Sequence, residues 1–373
     1  MSTSALGLVL GLAGLALVIG FTLGWLARRK RETPAAIRDT PAAYPAPPQA
    51  APAPSPTAVT AASKSPGPTA AATTRSSQAP ATSSSSASLL ERARSWGYQL
   101  QNLNITRAAA SPFDLLVIDY ATDGDDASAL KPAEIARLQK KADGSRRLVL
   151  AYLSIGEAES YRSYWKKDWK RQRPDWLLSE NPEWEENYAV CFWDPGWQAN
   201  LCGSADAYLD RILRQGFDGI YLDKCDVGED LKRREKQAAR SRPDLDADMA
   251  ALVERLAAYA RAKRPGFLVV MQNAEPLLER PALRATIDAV AKEELLYGLD
   301  APEKGNSRDE ISWSQERLEL MRRDGKPVFV VEYLNDRAKI AKAGTQLREL
   351  GYVPYISDKS RELDKLVYTV EEA

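Results

Sequence analysis

Short apolar runs alternate with longer amphipathic stretches from Leu89 to the end of the chain. Each run has four to six residues, a length and composition typical of buried strands in a parallel sheet. Eight runs predict strands at Tyr98–Leu103, Leu115–Asp119, Leu148–Leu153, Gly219–Asp223, Phe267–Met271, Ala289–Glu293, Val328–Tyr333 and Val353–Ile356. The intervening stretches predict helices at Pro132–Ala142, Ser160–Lys170, Ala205–Gln215, Asp244–Lys263, Pro276–Arg284, Trp313–Arg323 and Asp336–Leu350. Because eight strands alternate with helices, we predict a (β/α)8 TIM barrel rather than an open, doubly wound sheet.

The N-terminal residues have a different pattern. The chain is uncharged from Ala5 to Ala27 and then carries four consecutive basic residues, Arg28 to Arg31. At a rise of about 1.5 Å per residue, a helix of this length crosses a hydrocarbon core of about 30 Å. No basic residue precedes the run and no small-residue cleavage site follows it, which favours an uncleaved anchor over a signal peptide. We predict one transmembrane helix with a basic flank in residues 1–31.

Residues 32–88 consist mainly of Pro, Ala, Ser and Thr. Such a segment buries too little apolar surface to offset its conformational entropy, so we predict a disordered linker. The expected organisation is therefore an anchor in residues 1–31, a linker in residues 32–88 and a barrel domain in residues 89–373.

Two features give opposite indications of the side of the membrane on which the barrel lies. The basic cluster after the anchor favours the cytoplasm. The spacing of Cys191 and Cys202 would allow a small disulfide, and a long tether suits an exported domain. The alternative is that both residues are unpaired, buried thiols. We expect a bacterial-type inner-membrane anchor with a periplasmic barrel and keep the cytoplasmic orientation as the alternative.

Composition and charge exclude several classes of catalytic site and partner. The chain has no histidine, which excludes catalytic triads built on histidine and histidine-ligated metal sites. The first 90 residues carry seven Lys or Arg and two Asp or Glu, which leaves 44 basic and 49 acidic residues, a net charge of −5, for the rest. That balance, together with the absence of a glycine-rich phosphate loop, predicts neither a nucleic-acid partner nor a cofactor. The basic stretch Lys232–Arg242 is expected to be a solvated helix or loop.

Polar side chains follow or close seven of the eight predicted strands: Asp119, Glu157, Asp223, Gln272 with Asn273, Glu293, Glu332 and Asp358. In a TIM barrel these positions converge on the C-terminal mouth, where the active sites of barrel enzymes lie. The mouth is therefore the predicted functional site.

Five segments resemble those of one family. They are AYLSIGEAESYR (151–162), FWDPGWQ (192–198), GFDGIYLDKCD (216–226), QNAE (272–275) and KEELLYG (292–298). In this order they resemble the polygalactosaminidase-like glycoside hydrolases of family 114. The resemblance implies a (β/α)8 barrel and endo-cleavage of α-1,4-linked polymers that contain galactosamine. It also implies a catalytic pair, an Asp after the fourth strand and a Glu after the sixth, at Asp223 and Glu293.

The residue pattern is compatible with this pair. Glycoside hydrolysis needs one carboxyl group to protonate the leaving oxygen and a second to act as nucleophile or to activate water. Tyr221 and Asp223 share one face of the fourth strand, so Asp223 can point into the barrel. Ala289, Ala291 and Glu293 likewise share a face, which directs Lys292 and Glu294 outward. An outward lysine would be unusual there, so Glu294 remains the alternative to Glu293. We assign Asp223 as nucleophile and Glu293 as general acid/base.

Other mouth residues are predicted to bind substrate: Asp119, Tyr152, Glu157, Trp193, Asp194, Gln272, Asn273, Tyr297, Glu332 and Asp358. An acidic mouth favours a cationic sugar such as deacetylated galactosamine. We therefore predict a membrane-tethered glycoside hydrolase that acts on a polysaccharide without a metal. The alternatives are an inactive carbohydrate-binding barrel and a metal-dependent hydrolase. The sequence leaves open the stereochemistry, endo or exo action and the oligomeric state.

Overall fold

The computed structural model describes residues 85–367. The strands are β1 Trp96–Gln99, β2 Leu115–Ile118, β3 Leu148–Ser154, β4 Glu157–Glu159, β5 Leu177–Glu180, β6 Asn187–Val190, β7 Gly219–Asp223, β8 Leu268–Gln272, β9 Ala289–Glu293, β10 Val328–Tyr333 and β11 Val353–Ser357. The α-helices are α1 Ser86–Glu91, α2 Ile105–Ala110, α3 Pro132–Leu138, α4 Pro195–Leu201, α5 Tyr208–Gln215, α6 Gly228–Arg234, α7 Lys236–Arg240, α8 Leu245–Lys263, α9 Pro281–Thr286, α10 Arg308–Arg323 and α11 Arg337–Glu349. Single 3₁₀ turns lie at Asp126–Ser128 and Glu275–Glu279.

Eight parallel strands form the barrel in the order β1-β2-β3-β7-β8-β9-β10-β11. Across the closing seam, Trp96 of β1 donates its indole N–H to the Val353 carbonyl of β11, 3.0 Å away. The predicted (β/α)8 barrel is confirmed. All the residues of β2, β3, β8 and β10 are buried, because helices cover the outer face of the sheet while side chains fill its interior.

Aromatic side chains fill the barrel interior. The Trp96 indole contacts the rings of Tyr98, Tyr221, Phe329 and Tyr355, with ring centroids between 5.5 and 6.2 Å apart. All five residues are almost fully buried. This packing identifies the inward face of each strand: Tyr221 points inward from β7 and Phe329 from β10, and residues two positions further along share that face.

Several predicted elements differ from the structure in their bounds, and one does not form. The first strand begins at Trp96 instead of Tyr98 and ends at Gln99, because Asn102 adopts a left-handed turn with a φ of 53°. No helix forms at Ser160–Lys170. The helix predicted at Pro276–Arg284 is split into a 3₁₀ turn and α9, because Arg280 is extended before Pro281.

In place of the missing helix, a long excursion joins β3 to β7. Its strands form an antiparallel sheet in the order β4-β6-β5. Trp165 and Trp169 pack against each other, Trp165 against Tyr188, and Trp169 against Trp176. These contacts join the segment between β4 and β5 to β6. They therefore stabilise the excursion as a compact unit, whereas a helix would present its aromatic residues on one face.

Other expectations concern the N-terminal region and the cysteines. Residues 1–84, with the predicted anchor and nearly all of the predicted linker, lie outside the described residues, and α1 begins at Ser86, just before the expected barrel boundary. Within residues 85–367 no helix is long and apolar enough to span a bilayer. Cys191, Cys202 and Cys225 are free thiols, so the structure contains the unpaired alternative and not the bridge.

Candidate active site

Asp223 ends β7 and Glu293 ends β9, and Gln272 ends the strand between them. The Gln272 amide nitrogen lies 3.1 Å from Asp223 Oδ1 and 2.5 Å from Glu293 Oε2. Since one nitrogen contacts both, these two carboxylate oxygens are at most 5.6 Å apart, the sum of the two distances. Both carboxylates are partly exposed. The pair that the sequence predicts is thus brought together where the mouth is open to solvent.

The residue after each of these three strands has a left-handed backbone although it is not glycine. The φ angles are 59° at Lys224, 54° at Asn273 and 55° at Glu294. Such conformations are strained and are found where the surroundings or a function require them. At Lys224 the turn directs its own N–H to Asp223 Oδ1, 2.7 Å away. At Asn273 the side-chain oxygen accepts the Glu293 N–H at 3.1 Å. The turns therefore hold the two carboxylates in place.

Hydroxyl and amide donors occupy the remaining oxygens of the pair. Tyr152 donates to Asp223 Oδ2 at 2.7 Å. Tyr333 donates to Glu293 Oε1, and the Asn273 amide donates to Glu293 Oε2 at 3.2 Å. Tyr98 donates to the side-chain oxygen of Gln272 at 3.3 Å, which turns the Gln272 amide nitrogen toward the carboxylates. Tyr152, Gln272 and Asn273, three of the predicted substrate-binding residues, therefore contact the carboxylate pair directly.

The electrostatics of the site favour a proton on Glu293. Burial, followed by the nearby Asp223 carboxylate, raises the pKa of Glu293 to about 7, while the hydrogen bond from Tyr333 acts in the opposite direction. Close carboxyl groups cannot both ionise without mutual repulsion, so one of them retains a proton near neutral pH. An acid with this pKa can protonate a leaving group at neutral pH and accept the proton back afterwards.

Glu157 and Lys224 form a second charged pair beside Asp223. Gly156 lets the two chain segments approach, since a Cβ there would lie 2.2 Å from the Lys224 carbonyl oxygen. Glu157 is buried; its Oε1 accepts the Asn181 amide at 2.9 Å, and its Oε2 lies 3.5 Å from Lys224 Nζ. Burial lowers the pKa of Lys224, but Glu157 and then Asp223 raise it above its usual value. Lys224 therefore places a permanent cation next to Asp223.

A buried arginine holds two further carboxylates at the mouth. Arg162, 4% exposed, lies 2.6 Å from both Asp119 and Glu159 and donates to the Gly124 carbonyl oxygen at 3.1 Å. Its guanidinium lies over four tyrosine rings, those of Tyr120, Tyr152, Tyr161 and Tyr208. Asp119, a predicted substrate ligand, accepts hydrogen bonds from Arg162 and, at 3.0 Å, from the Ala121 N–H. These contacts give it a structural role, and its contact with substrate stays a prediction.

Replacing Arg162 should strongly destabilise the fold. Arg162→Met would leave the buried carboxylates of Asp119 and Glu159 without a counter-ion, and we expect the free energy of unfolding to fall by about 3–5 kcal/mol. Urea unfolding followed by tryptophan fluorescence measures this. Lys232→Met is the control: it removes an exposed pair with Glu229 and should cost about 1 kcal/mol or less. Equal losses for the two variants would contradict the assignment.

Three other predicted substrate ligands are bound within the protein, and the structure does not bring them to the pair. Asp194 caps α4 through the Gly196 N–H. Glu332 is fully buried and accepts the N–H groups of Leu296 and Tyr297 at 2.7 and 3.2 Å. Asp358 accepts the Ser360 N–H at 2.9 Å and pairs with Lys365. Helix capping and loop anchoring account for these carboxylates.

The aromatic candidates Trp193 and Tyr297 are partly exposed. The Trp193 ring packs edge-on against Phe192, with centroids 5.0 Å apart. Tyr297 forms an isolated bridge with Gly305 in the loop after β9. No contact between either ring and the carboxylate pair is present within residues 85–367, so their role in substrate binding remains a prediction.

Glu294, the alternative to Glu293 in the sequence, and Lys292 both have partners outside the carboxylate pair. Glu294 pairs with Arg361 and does not contact Asp223. Lys292 faces outward as the alternation predicts, but it is buried, with Nζ 3.2 Å from Glu275, a carboxylate that also accepts the Ser314 hydroxyl. The strand thus continues to Glu293 because its outward lysine has a buried partner, which strand periodicity alone could not identify.

Sequence reasoning missed Tyr333, Lys224 and Arg162. A signal for Tyr333 was present: Phe329, Val331 and Tyr333 alternate on one face of β10, and Phe329 packs inside the barrel. The same alternation directs Glu332 outward, where it accepts the Leu296 and Tyr297 N–H groups. Arg162 had no comparable signal, because its partners come from three separate segments.

A family model of the glycoside-hydrolase family GH114 matches residues 74–373. An uncharacterized protein of Deinococcus radiodurans is 39% identical over 287 residues, which are 76% of this chain and 85% of that protein. Another, of Methanocaldococcus jannaschii, is 37% identical over 285 residues, 73% of this chain and 77% of that protein. The glycoside hydrolase domain of PelA from Pseudomonas aeruginosa superposes with a TM-score of 0.54 at 21% identity, covering 74% of this chain and 98% of that domain. At that identity the structural likeness shows the barrel fold alone.

Proposed function

The chain belongs to glycoside-hydrolase family GH114, and from this premise we propose that its barrel is a retaining glycosidase for α-1,4-linked polysaccharides that contain galactosamine. The observation that supports a retaining mechanism is the separation of the carboxylates. Retaining glycosidases place their two carboxyl groups about 5–5.5 Å apart, whereas inverting enzymes need about 6.5–9.5 Å to admit a water molecule. The limit of 5.6 Å between Asp223 Oδ1 and Glu293 Oε2 fits the shorter class.

In the first step, Asp223 attacks the anomeric carbon of the sugar while Glu293 donates its proton to the leaving glycosidic oxygen. The bond from the anomeric carbon to that oxygen breaks, and a covalent glycosyl ester forms on Asp223. Asp223 Oδ1 already accepts two N–H groups, whereas Oδ2 accepts only the Tyr152 hydroxyl within residues 85–367. We therefore assign the attack to Oδ2.

In the second step, the Glu293 carboxylate removes a proton from water, and the water oxygen attacks the anomeric carbon. The ester bond to Asp223 breaks and its carboxylate is regenerated. Gln272 contacts both carboxylates, so it can hold their spacing constant through both steps. Tyr333, through its hydrogen bond, stabilises the ionised form of Glu293 that the second step requires.

The charge of the mouth supports a preference for deacetylated, cationic sugar units. Asp223 and the exposed Asp226 contribute negative charge, and Lys224 offsets part of it. A net negative site concentrates cationic ligands. The sugar itself is inferred from the resemblance of segments 151–162, 216–226 and 292–298 to the family.

We also propose that residues 1–31 anchor the chain in a membrane and that residues 32–88 tether the barrel on the extracytoplasmic side. The support is the uncharged run from Ala5 to Ala27 and the composition of the linker. Accessibility of the barrel to a protease added outside intact spheroplasts distinguishes this orientation from the cytoplasmic one.

The test of function is release of reducing ends by the full-length chain. Substrates are partly deacetylated α-1,4-galactosamine oligomers and a panel of other glycans, assayed with and without EDTA. We expect hydrolysis of the galactosamine oligomers, unaffected by chelation, with the first product in the α configuration. Inactivation by EDTA would favour a metal-dependent hydrolase. Binding of glycans without any turnover would favour an inactive carbohydrate-binding barrel.

A further inference from the structure

Two large hydrophobic side chains are exposed in residues 85–367, and both belong to the excursion between β3 and β7. They are Tyr161, 38% exposed, and Trp184, 41% exposed. Other large aromatic side chains of the excursion, including Trp165, Trp169 and Trp176, are buried or half-buried in its own packing. The packing of this sheet therefore does not explain why Tyr161 and Trp184 are exposed.

The two rings lie on chain segments that are bonded to each other. Tyr161 follows β4, and Trp184 lies in the turn between β5 and β6. Beside Tyr161, Ser160 donates its N–H to the Glu186 carbonyl oxygen at 2.8 Å and its hydroxyl to the Glu186 carboxylate at 3.0 Å. The antiparallel pairing of β4 with β6 continues directly into this contact. Both segments are thus adjacent parts of the surface of the excursion.

That surface is connected to the barrel mouth on two sides. At the start of the Trp184 turn, Asn181 donates to Glu157, which contacts Lys224, the residue after Asp223. On the other side, Tyr161 donates its hydroxyl to Glu159 at 2.7 Å, and Glu159 is bound to Arg162. Hydrogen bonds and ion pairs therefore connect this surface to residues of the mouth next to Asp223.

The local chemistry suits a sugar chain better than an apolar protein surface. The Tyr161 ring is held in place, since its hydroxyl is bonded and the Arg162 guanidinium lies 4.9 Å from its centroid. Rigid aromatic rings bind without a large loss of side-chain entropy. Glu183 and Glu185 flank Trp184 and form no ion pair within the described part of the chain, so charged groups surround the exposed rings. Ammonium groups of a deacetylated polymer would complement these carboxylates.

We propose that Tyr161 and Trp184 form an aromatic platform that binds sugar units of the polysaccharide beyond those held between Asp223 and Glu293. This inference rests on the proposed function and adds a distal binding site to it. A polymer that extends from the mouth to the platform is held by more sugar units than a short oligomer, so the platform favours long chains.

The experiment compares substrate lengths in the full-length chain with Trp184→Ala. The substrates are a partly deacetylated α-1,4-galactosamine polymer and its trisaccharide. We expect the ratio of kcat/KM for the polymer to that for the trisaccharide to fall about tenfold, through a higher KM for the polymer. Trp184→Phe keeps an aromatic ring and should restore most of the ratio, while matching melting temperatures exclude misfolding. An unchanged ratio, or the same loss on both substrates, would overturn the platform.

A binding measurement separates failure of the platform from failure of the proposed function. Affinity electrophoresis in gels that contain the polymer is run with Glu293→Gln and with the double variant Glu293→Gln/Trp184→Ala. We expect the polymer to retard the single variant and to retard the double variant less. If no glycan is hydrolysed, the proposed function fails and this retardation alone decides on the platform. Equal mobility of the two variants would reject it.

Discussion

Asp223→Asn is expected to lower kcat on the galactosamine polymer by about 10⁴-fold or more. Asparagine has nearly the same shape and can still accept the Lys224 N–H, which lies 2.7 Å from Oδ1. It lacks the negative charge that attacks the anomeric carbon, so the nucleophile is lost while the shape of the side chain is kept. Reducing-end release over hours measures the residual rate. A loss of less than about tenfold would show that Asp223 is not the nucleophile.

A companion variant tests the covalent step itself. Asp223→Ala opens a space lined by the Lys224 N–H and the Tyr152 hydroxyl, donors that can bind a small anion. With added azide, the azide nitrogen should attack the anomeric carbon while Glu293 protonates the leaving oxygen. The product is then a glycosyl azide with inverted configuration, which NMR identifies. If Asp223 only activated water, the unmodified enzyme would release the β-anomer first, whereas a covalent step on Asp223 gives the α-anomer.

The second large effect concerns Glu293 and pH. Burial and Asp223 raise the pKa of Glu293 to about 7. Because the general acid must be protonated, kcat/KM should be high below pH 7 and should fall with a slope of one per pH unit above it. Glu293→Gln should lower kcat by about 10²–10⁴-fold and abolish this limb. With an aryl glycoside whose leaving group needs no proton, Glu293→Gln should lower the rate of the first step far less. A basic limb that persists in Glu293→Gln would assign the acid to another residue.

Two tyrosines of the barrel interior provide a matched pair for the same profile. The hydroxyl of Tyr333 donates to Glu293 and lowers its pKa, so Tyr333→Phe should move the basic limb to higher pH. Tyr221 lies in the same aromatic interior, but its buried hydroxyl has no hydrogen-bond partner in the described part of the chain. Tyr221→Phe should therefore leave the limb in place. Equal shifts in both variants would indicate a general packing effect.

The mouth combines strained turns with paired charges. Each of three adjacent strands is followed by a non-glycine residue with a left-handed backbone. The ion pairs Lys224–Glu157 and Lys292–Glu275 involve the residues next to Asp223 and Glu293. Each strained residue and each buried charge costs stability, which the surrounding packing must supply. Such a site is rigid before substrate binds, which suits a reaction that depends on a spacing of about 5 Å between two carboxyl groups.

The sequence by itself determined the barrel and the position of the pair. Strands and helices follow from local periodicity, because alternation over a few residues decides which side chains a strand buries. The same alternation directed Asp223 and Glu293 inward, and strand order brought them to one mouth. The same alternation places Tyr333 on the inward face and Glu332 on the outward face.

Only the tertiary structure decided which carboxylates lie together. Asp119, Glu332 and Asp358 look equivalent to Asp223 in the sequence, yet their hydrogen-bond and ion-pair partners lie outside the carboxylate pair. The partners of Asp119 and Glu332 are distant in the chain, since Arg162 lies 43 residues from Asp119 and Leu296 lies 36 from Glu332. The fold of the excursion was decided in the same way, by aromatic contacts between segments. Periodicity reports the environment of one element at a time, whereas charge pairing depends on which elements the fold brings together.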